Sequence, residues 1–591
     1  MKQRFSDRFK LSVLLLILFV FVQGCASSES QTSTPFVLTI AHLNDTHAQL
    51  EPSTLKITFN GTATYTEVGG FPAVTAKIKQ LRQNNENFLF LHAGDVFQGT
   101  LYFLKYRGMA PLAFLKLMKL DAMCAGNHEF DEGPEVLAAF IDETRGQFPV
   151  LSANISVDRE PLLAGKIKPY EIKTFGSRRV GIIGLTAPDT PAVSNPGKHV
   201  VFSDPLKALK TAAAELTRKE INIIIVLSHL GFEDDIEMAK TIAGIDVVVG
   251  GHTHTLMGDF ENVADLSAEA EYPYVVRNSQ QETVLVVQAW EKSKALGILN
   301  VQFDNAGKVV GYSGHPVILT GCKAEDFIQK NSAEQKEPVD NETFKAIVDV
   351  IESNPTLEMI PGDPEALALL DTFSGPIREL KRAVIGLSEA DLWNVRQPGD
   401  THETAGRLEN GSLIAPVVAE ALLWKAKSLK NKNTQIVIQN AGSVRGDIPK
   451  GDVTIGQVYE LLPFGNTLVL FDLEGSKIKE VLKAALVKAD GAFPYTAGLR
   501  YSVDLSQPNH PFLKTVEVQT GKGWVPLKDD ETYHIAANYF IASGKDDYTI
   551  FGEVKDKDDT GYTAAEIFIE YVRTSKTLKR PENRVTVTRS N

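Results

Sequence analysis

The chain has 591 residues, 43% of them hydrophobic and 23% charged, with a formal net charge of −13. That length is too great for one hydrophobic core and points to two or more domains. An acidic chain gains nothing from counterion release on nucleic acid or from anionic lipid, so neither is expected as a bulk partner, and an anionic small substrate would need a local cation to hold it.

Residues 1–24 read as a targeting segment. Lys2, Arg4, Arg8 and Lys10 precede Leu11–Val22, an apolar run of signal-peptide length and short for a membrane span. The run ends in Val22-Gln23-Gly24-Cys25, which resembles a bacterial lipoprotein lipobox. The resemblance implies cleavage before Cys25 and lipidation of that residue, with 25–35 as a loose tether. The alternative is an ordinary secretory signal cleaved nearby. The expected location is the cell envelope, in the periplasm. Ala26 rather than aspartate after the cysteine points to the outer membrane, by resemblance to known sorting rules. Cys124 and Cys322 then remain and make no disulfide framework, although a bridge between them stays open. Cys124 reads as a small buried hydrophobe.

From residue 36 onward, short apolar or β-branched runs alternate with amphipathic helical patterns. The runs at 36–43, 87–94, 222–230 and 245–252 are bounded by turn signals and predict strands. The stretches 71–83 and 204–220 predict helices, the second with Asp204 as cap and Pro205 in its first turn. This alternation indicates an α/β core over 36–335. Residues 336–382 carry five prolines and two helical pieces, at 341–352 and 364–373, and read as a helical linker or hinge. Beyond it, 383–591 again mixes helix and strand, with helical patterns at 411–429 and 475–490 and a strand at 433–442. No fixed-period repeat runs through the chain.

Polar residues end or directly follow these strands and the apolar run 120–125: Asp45 and His47, then Asp95, Asn127 and His128 (after 120–125), His229, and finally His252 and His254. The carboxyl ends of strands are where an open α/β sheet places its ligands. Singly, each has a plainer reading: Asp45 as a turn cap, Asp95 as support for its glycines, His229 as a core histidine. His252 and His254 would share one face if they continued a strand. Together, aspartate, histidine and asparagine suit Zn, Mn, Fe or Co. Seven donors are too many for one tetrahedral ion and suit two divalent ions with a shared carboxylate, as in binuclear hydrolases.

The ordered series D-x-H, G-D, G-N-H-E, a lone His and G-H-T-H resembles the calcineurin-like metallophosphoesterases, and "GNHEFD" resembles their 5'-nucleotidase branch. The resemblance implies a four-layer α-β-β-α catalytic domain followed by a mixed α/β nucleotide-binding domain. It implies that Asp45, His47, Asp95 and His254 hold one ion and that Asp95, Asn127, His229 and His252 hold the other. His128 is then a catalytic residue facing the phosphoryl group, with Asp131 orienting and charging it, and Gly126 lets backbone approach the site. Glu129 and Phe130 support the turn.

The resemblance extends through the C-terminal part. Asn440 and Arg445 match the family's asparagine and phosphate- or carboxylate-binding arginine. Phe464 and Phe540 match the two walls of a clamp around the base, with Asn466 beside the first wall and Asp546 as the ribose-binding aspartate. Tyr539 is the alternative to Phe540. A further arginine is expected before the helix near Gly411, with Arg396 and Arg407 both candidates. Gly544-Lys545-Asp546-Asp547-Tyr548 departs from the common G-G-D-G-Y, and with "RQPG" it resembles the NAD nucleotidase branch. The expected function is a phosphohydrolase removing the 5'-phosphate of nucleoside monophosphates by in-line attack of metal-activated hydroxide, for nucleotide salvage. Alternatives are a pyrophosphatase acting on NAD or UDP-sugars, and a non-catalytic surface nucleotide-binding protein. Nucleotide and membrane lipid are the expected partners; no obligate protein partner is implied.

Overall fold

The computed structural model describes residues 35–260, 266, 268–330, 336–429, 433–506 and 512–588. The signal segment and Cys25 lie outside the described residues. Among the described residues, no helix is long and apolar enough to cross a membrane.

The N-terminal domain is four layers, helix-sheet-sheet-helix. In one sheet Phe36–Leu43 lies parallel to Phe88–His92, which continues into Ala122–Cys124 and Val150–Leu151, all in parallel. In the second, Arg178–Thr186, Ile224–His229, Val247–Gly250 and Thr283–Val287 run parallel in that order. The period-2 pleat explains the layering. Leu38, Ile40, Leu89 and Leu91 point to the inter-sheet core, where they meet Ile182, Ile225, Leu227 and Val249. Their neighbours Ala41, Leu43, Phe88 and Phe90 point outward, to a core that also takes residues of helices Phe71–Asn84, Met109–Leu117 and Gly133–Thr144. On the far side, Pro205–Arg218 and Phe232–Thr241 cover the second sheet. Asp204 caps the first of these by accepting the Lys207 N–H, as its sequence position predicts.

Cys124 is buried and Cys322 partly so, and both are free, so no bridge joins them. The helix predicted for 364–373 runs on to Lys381, carrying Pro376 inside it. Ile377, next to that proline, packs into the main core, while the proline leaves one helical backbone bond unmade.

The C-terminal domain is built on a five-stranded mixed sheet, in the order Pro494–Ala497, Ile436–Asn440, Thr532–Asn538, Thr467–Glu474 and Lys557–Thr563. Ala415–Ser428, Gly475–Lys488 and Ala564–Ser575 are its long helices. Contacts between the domains include Lys292 Nζ donating to the Gly465 carbonyl (2.7 Å), the Gly99 N–H donating to Glu566 (2.9 Å), and Tyr562 against the His128 ring.

Candidate active site

Parallel strands of the two sheets end at one edge, and the loops leaving them carry the polar residues. His229 closes its strand; the others lie in loops just past a strand. His252 and His254 follow the strand rather than extend it, with left-handed φ of 76° and 54°, and they diverge into different clusters instead of sharing a face. Asp45, His47 and Asp95 are also left-handed, at 47°, 46° and 59°. Such conformations cost non-glycine residues of order 1–3 kcal/mol each and persist only where packing over-determines them. Gly126 meets the expectation of close approach: a Cβ there would lie 2.1 Å from Asp95 Oδ1.

Two candidate metal-binding clusters result, Asp45 with His47 and His254, and Asp95 with His229 and His252. Asn127 joins the second through Oδ1, 3.2 Å from His229 Nε2. Asp45 also reaches the second cluster, with Oδ1 3.9 Å from His229 Nε2. The donor set fits cations on its own geometry. His47 Nδ1 and His229 Nδ1 face the carbonyls of Phe97 (3.0 Å) and Ala93 (2.7 Å), which only accept, so these nitrogens carry the protons and both Nε2 atoms present lone pairs. His254 Nδ1 faces Glu291 at 3.3 Å, which likewise frees its Nε2. The Nε2 atoms of His47 and His254 then meet at 3.2 Å, and His229 Nε2 meets Asp95 Oδ2 at 3.1 Å. Acceptors converging at such distances need positive charge between them. Burial opposes ionisation of His229, but Asp95 and Asp45 lift its pKa to about 9. A divalent ion competes for the same lone pairs.

His128 stands apart from these ligands. Its Nδ1 lies 2.5 Å from Asp131 Oδ2, whose other oxygen accepts the Ser194 hydroxyl at 2.6 Å. Burial disfavours its charged form, yet Asp131 and Asp95 raise the pKa to about 10, so the ring is an imidazolium. Its Nε2 is 4.0 Å from Asp95 Oδ2. The C-terminal domain closes over this ring: Tyr562 packs on it edge to face, and a Cβ on Gly561 would lie 1.7 Å from Nε2.

In the C-terminal domain, Asn440 Nδ2 donates to Asp546 Oδ2 at 3.0 Å, and Asn440 Oδ1 is held by Ser443 and Asn538. Gly442 and Gly491 form a floor beneath these groups. A Cβ on Gly442 would lie 3.2 Å from both Arg396 Nη1 and Asn440 Nδ2, and one on Gly491 3.7 Å from Asp546 Oδ2. Arg445 lies over the Phe464 ring at 5.6 Å. Of the two further arginines, the structure brings Arg396 to this floor, while Arg407 is on the small hairpin of 401–407 and pairs with Glu409 at 2.7 Å. Phe540 and Tyr539 are similarly exposed, at 40% and 37%. The side chain of Asn466 is partly exposed, and its carbonyl takes the Ala564 N–H.

Comparison with known proteins identifies the two halves. Residues 38–256 match the calcineurin-like phosphoesterase family, and 384–553 match the 5'-nucleotidase C-terminal domain family. A Treponema pallidum protein named "Probable 5'-nucleotidase" is 36% identical over 94% of this chain and 95% of its own length. The NAD 5'-nucleotidase of Haemophilus influenzae is 34% identical over 96% of this chain and 95% of its own. The solved structure of the H. influenzae NAD nucleotidase superposes with a TM-score of 0.80, at 33% identity, covering 94% of this chain and all of that one. The chain belongs to the 5'-nucleotidase family of metallophosphoesterases. It is therefore a metal-dependent phosphoester hydrolase, with the family's catalytic and C-terminal domains.

Sequence reasoning missed two supports of this 5'-nucleotidase site. Glu129, more than a turn residue, accepts four backbone N–H groups, from Asp95, Val96, Phe97 and Gly126, at 2.6–3.2 Å, and so ties the two metal-ligand loops together. The segment 288–294 supplies Glu291 to His254. Lys292, Lys294 and His254 outweigh burial and hold the Glu291 carboxyl well below the usual range. The charged run Glu291–Lys294, three residues past the apolar strand Thr283–Val287, was the available signal.

Proposed function

We propose that this chain is an exported, lipid-anchored 5'-nucleotidase that releases phosphate from nucleoside 5'-monophosphates for salvage. The observation that carries the reading is the coexistence of two groups: the lone-pair clusters beside an imidazolium, and the Arg396–Asn440–Asp546 floor with its exposed aromatic residues. The first suits a phosphoryl group and the second a nucleoside. Asp45, His47, Asp95 and His254 would hold one divalent ion and Asp95, Asn127, His229 and His252 the other, drawn from Zn, Mn, Co or Fe. Bound there, such a pair supplies Lewis-acid polarisation of the phosphoryl group and lowers the pKa of water.

The remaining work falls to protein groups. His128, kept protonated by Asp131, presents Nε2–H to charge developing on the phosphoryl oxygens. The cover of Gly561 and Tyr562 keeps bulk water from that proton. Asp546, oriented by Asn440, accepts from ribose hydroxyls. Phe464 and Phe540 stack the base, and Arg445 and Arg396 supply cations to anionic parts of the substrate. The region 336–382 serves as the connection between the two halves. Cleavage before Cys25 and lipidation place the enzyme at the cell envelope, where dephosphorylation turns nucleotides that cross membranes poorly into nucleosides taken up by carriers.

A second reading, pyrophosphate cleavage of NAD, is supported by the likeness to the H. influenzae NAD nucleotidase across nearly the whole chain and by Lys545 and Asp547 in the 544–548 loop. Product analysis separates the two. Metal-loaded protein given AMP should release adenosine and phosphate. Nicotinamide mononucleotide appearing from NAD would add the pyrophosphatase activity, and no turnover of AMP with metals bound would refute the proposal.

A further inference from the structure

The Lys292 side chain runs from the candidate metal clusters to the loop that carries Phe464. Its backbone is fixed to the first cluster: the Lys292 N–H donates to the Asp45 carbonyl at 2.7 Å, and Trp290, Lys292 and Ser293 all hold left-handed φ of 52–59°. Asn44 braces the same turn, accepting the Ala289 N–H at 2.7 Å and donating to the Trp290 carbonyl at 2.6 Å. The ammonium, with its side chain 14% exposed, lies 3.4 Å from Glu291 Oε2, and that oxygen is 3.3 Å from His254 Nδ1. The same ammonium donates to the carbonyl of Gly465 at 2.7 Å. Gly465 stands between Phe464 and Asn466, and a Cβ there would lie 3.1 Å from Lys292 Nζ.

A continuous set of contacts thus leads from His254 through Glu291 and Lys292 to the residue next to the aromatic Phe464. Every link is a hydrogen bond or ion pair, and the cluster end is rigid because its strained backbone is held from several sides. A charge-assisted bond to a carbonyl is stronger than a neutral one, and a lysine stem is long enough to cross between domains.

Resting on the 5'-nucleotidase reading, we infer that Lys292 is a positioning residue that sets the spacing between base-binding loop and metal clusters, so that a clamped nucleoside presents its 5'-phosphate in register. It matters for substrates held at both ends and not for a phosphate ester that has no base. Misplacement of a reacting group by about 1 Å can cost on the order of 100-fold in rate, so even partial loss of register is readable.

The test compares AMP with p-nitrophenyl phosphate for wild type, Lys292→Met and Lys292→Arg, with metal content and thermal stability measured on each. Met keeps the stem and removes the donor; Arg keeps a donor. The expected result is that Lys292→Met lowers kcat for AMP about tenfold and changes p-nitrophenyl phosphate turnover less than threefold, with metal content unchanged and Arg restoring most of the AMP rate. Equal losses on both substrates, or metal loss, would assign Lys292 to the support of Glu291 and His254 and overturn the inference. No effect on either substrate would also overturn it. A wild type that turns over p-nitrophenyl phosphate but not AMP refutes the nucleotidase reading itself, and the inference with it.

Discussion

Around the metal clusters six of the seven candidate ligands are 7% exposed or less, whereas Phe464, Tyr539 and Phe540 are 53%, 37% and 40% exposed. The first region is a set of strained loops locked by buried hydrogen bonds, such as the four that converge on Glu129. The second is a shallow floor of two glycines with side chains standing around it. The contrast matches what each would bind under the proposed function. Converging acceptors around a small cation need fixed positions and a dry setting, and packing that supplies both can also sustain left-handed backbone. An aromatic surface that receives a base must be open before the base arrives.

The comparison breaks first at Asp95. It lies 3.1 Å from His229 Nε2, its charge acts on His47 in the first cluster, and its Oδ1 accepts the His128 N–H at 3.0 Å. Asp95→Asn keeps the shape and removes the charge. The expected outcome is a loss of about 1000-fold or more in kcat on AMP and on p-nitrophenyl phosphate alike, with lower metal content by mass spectrometry. Retained metal with only a threefold loss would mean that the clusters act independently.

Gly561 is a sharper probe because it belongs to the C-terminal domain yet its backbone lies directly against the His128 ring. Any Cβ there would sit on His128 Nε2, and its φ of 64° already disfavours a side chain. Gly561→Ala is expected to lower kcat on both substrates by roughly 10- to 100-fold with metal retained, the range of a lost acid or electrostatic contact. If only AMP turnover fell, residue 561 would belong functionally with the clamp.

Phe464→Ala tests the open region. Stacking contributes about 1–3 kcal/mol per base, so KM for AMP should rise by roughly 5- to 100-fold while p-nitrophenyl phosphate kinetics stay unchanged. An equal KM increase on both substrates would count against a base-stacking role.

The same contrast explains what could be read from the sequence. The strands at 36–43 and 224–229 and the helices at 71–84 and 205–218 were legible because each buries one face and obeys its period. The residues that form the two candidate clusters stood out because a polar residue straight after a buried strand is costly unless it does something. Glu129 was underestimated because its partners are backbone N–H groups, which leave no trace in residue types. Lys292 was invisible because its partner is a carbonyl 173 residues away. The choice between Arg396 and Arg407 needed the tertiary placement of the Gly442–Gly491 floor. The pair "HTH" misled in one respect: alternation implies a shared face only on a strand, and left-handed backbone at both histidines sends them to different clusters.

The smallest expected effect concerns the far end of a ligand-bearing strand. Val247–Gly250 leads at one end to His252 and begins at the other just after Asp246, which is 6% exposed. Asp246 Oδ2 accepts the Ile224 N–H at 2.8 Å, and its backbone pairs with Ile224 and Leu285. Burial raises its pKa from the ordinary 3.8 to about 7, more than the Ile224 bond and Lys308 lower it. A carboxyl whose folded pKa is raised is bound to its proton in the folded state after the unfolded chain has released it. Stability from this group is therefore full below about pH 4, falls as pH rises towards 7, and stays reduced above that. Asn at this position still accepts the Ile224 N–H and never ionises. Asp246→Asn should therefore stabilise the protein by on the order of 2–4 kcal/mol at pH 8, read as a higher Tm, with the advantage vanishing near pH 4. AMP kinetics at pH 8 should be unchanged, since nothing at this end touches the clusters. A change in kcat would mean that strain at the foot of the strand is transmitted to His252, and the separation between structural and catalytic ends would fail.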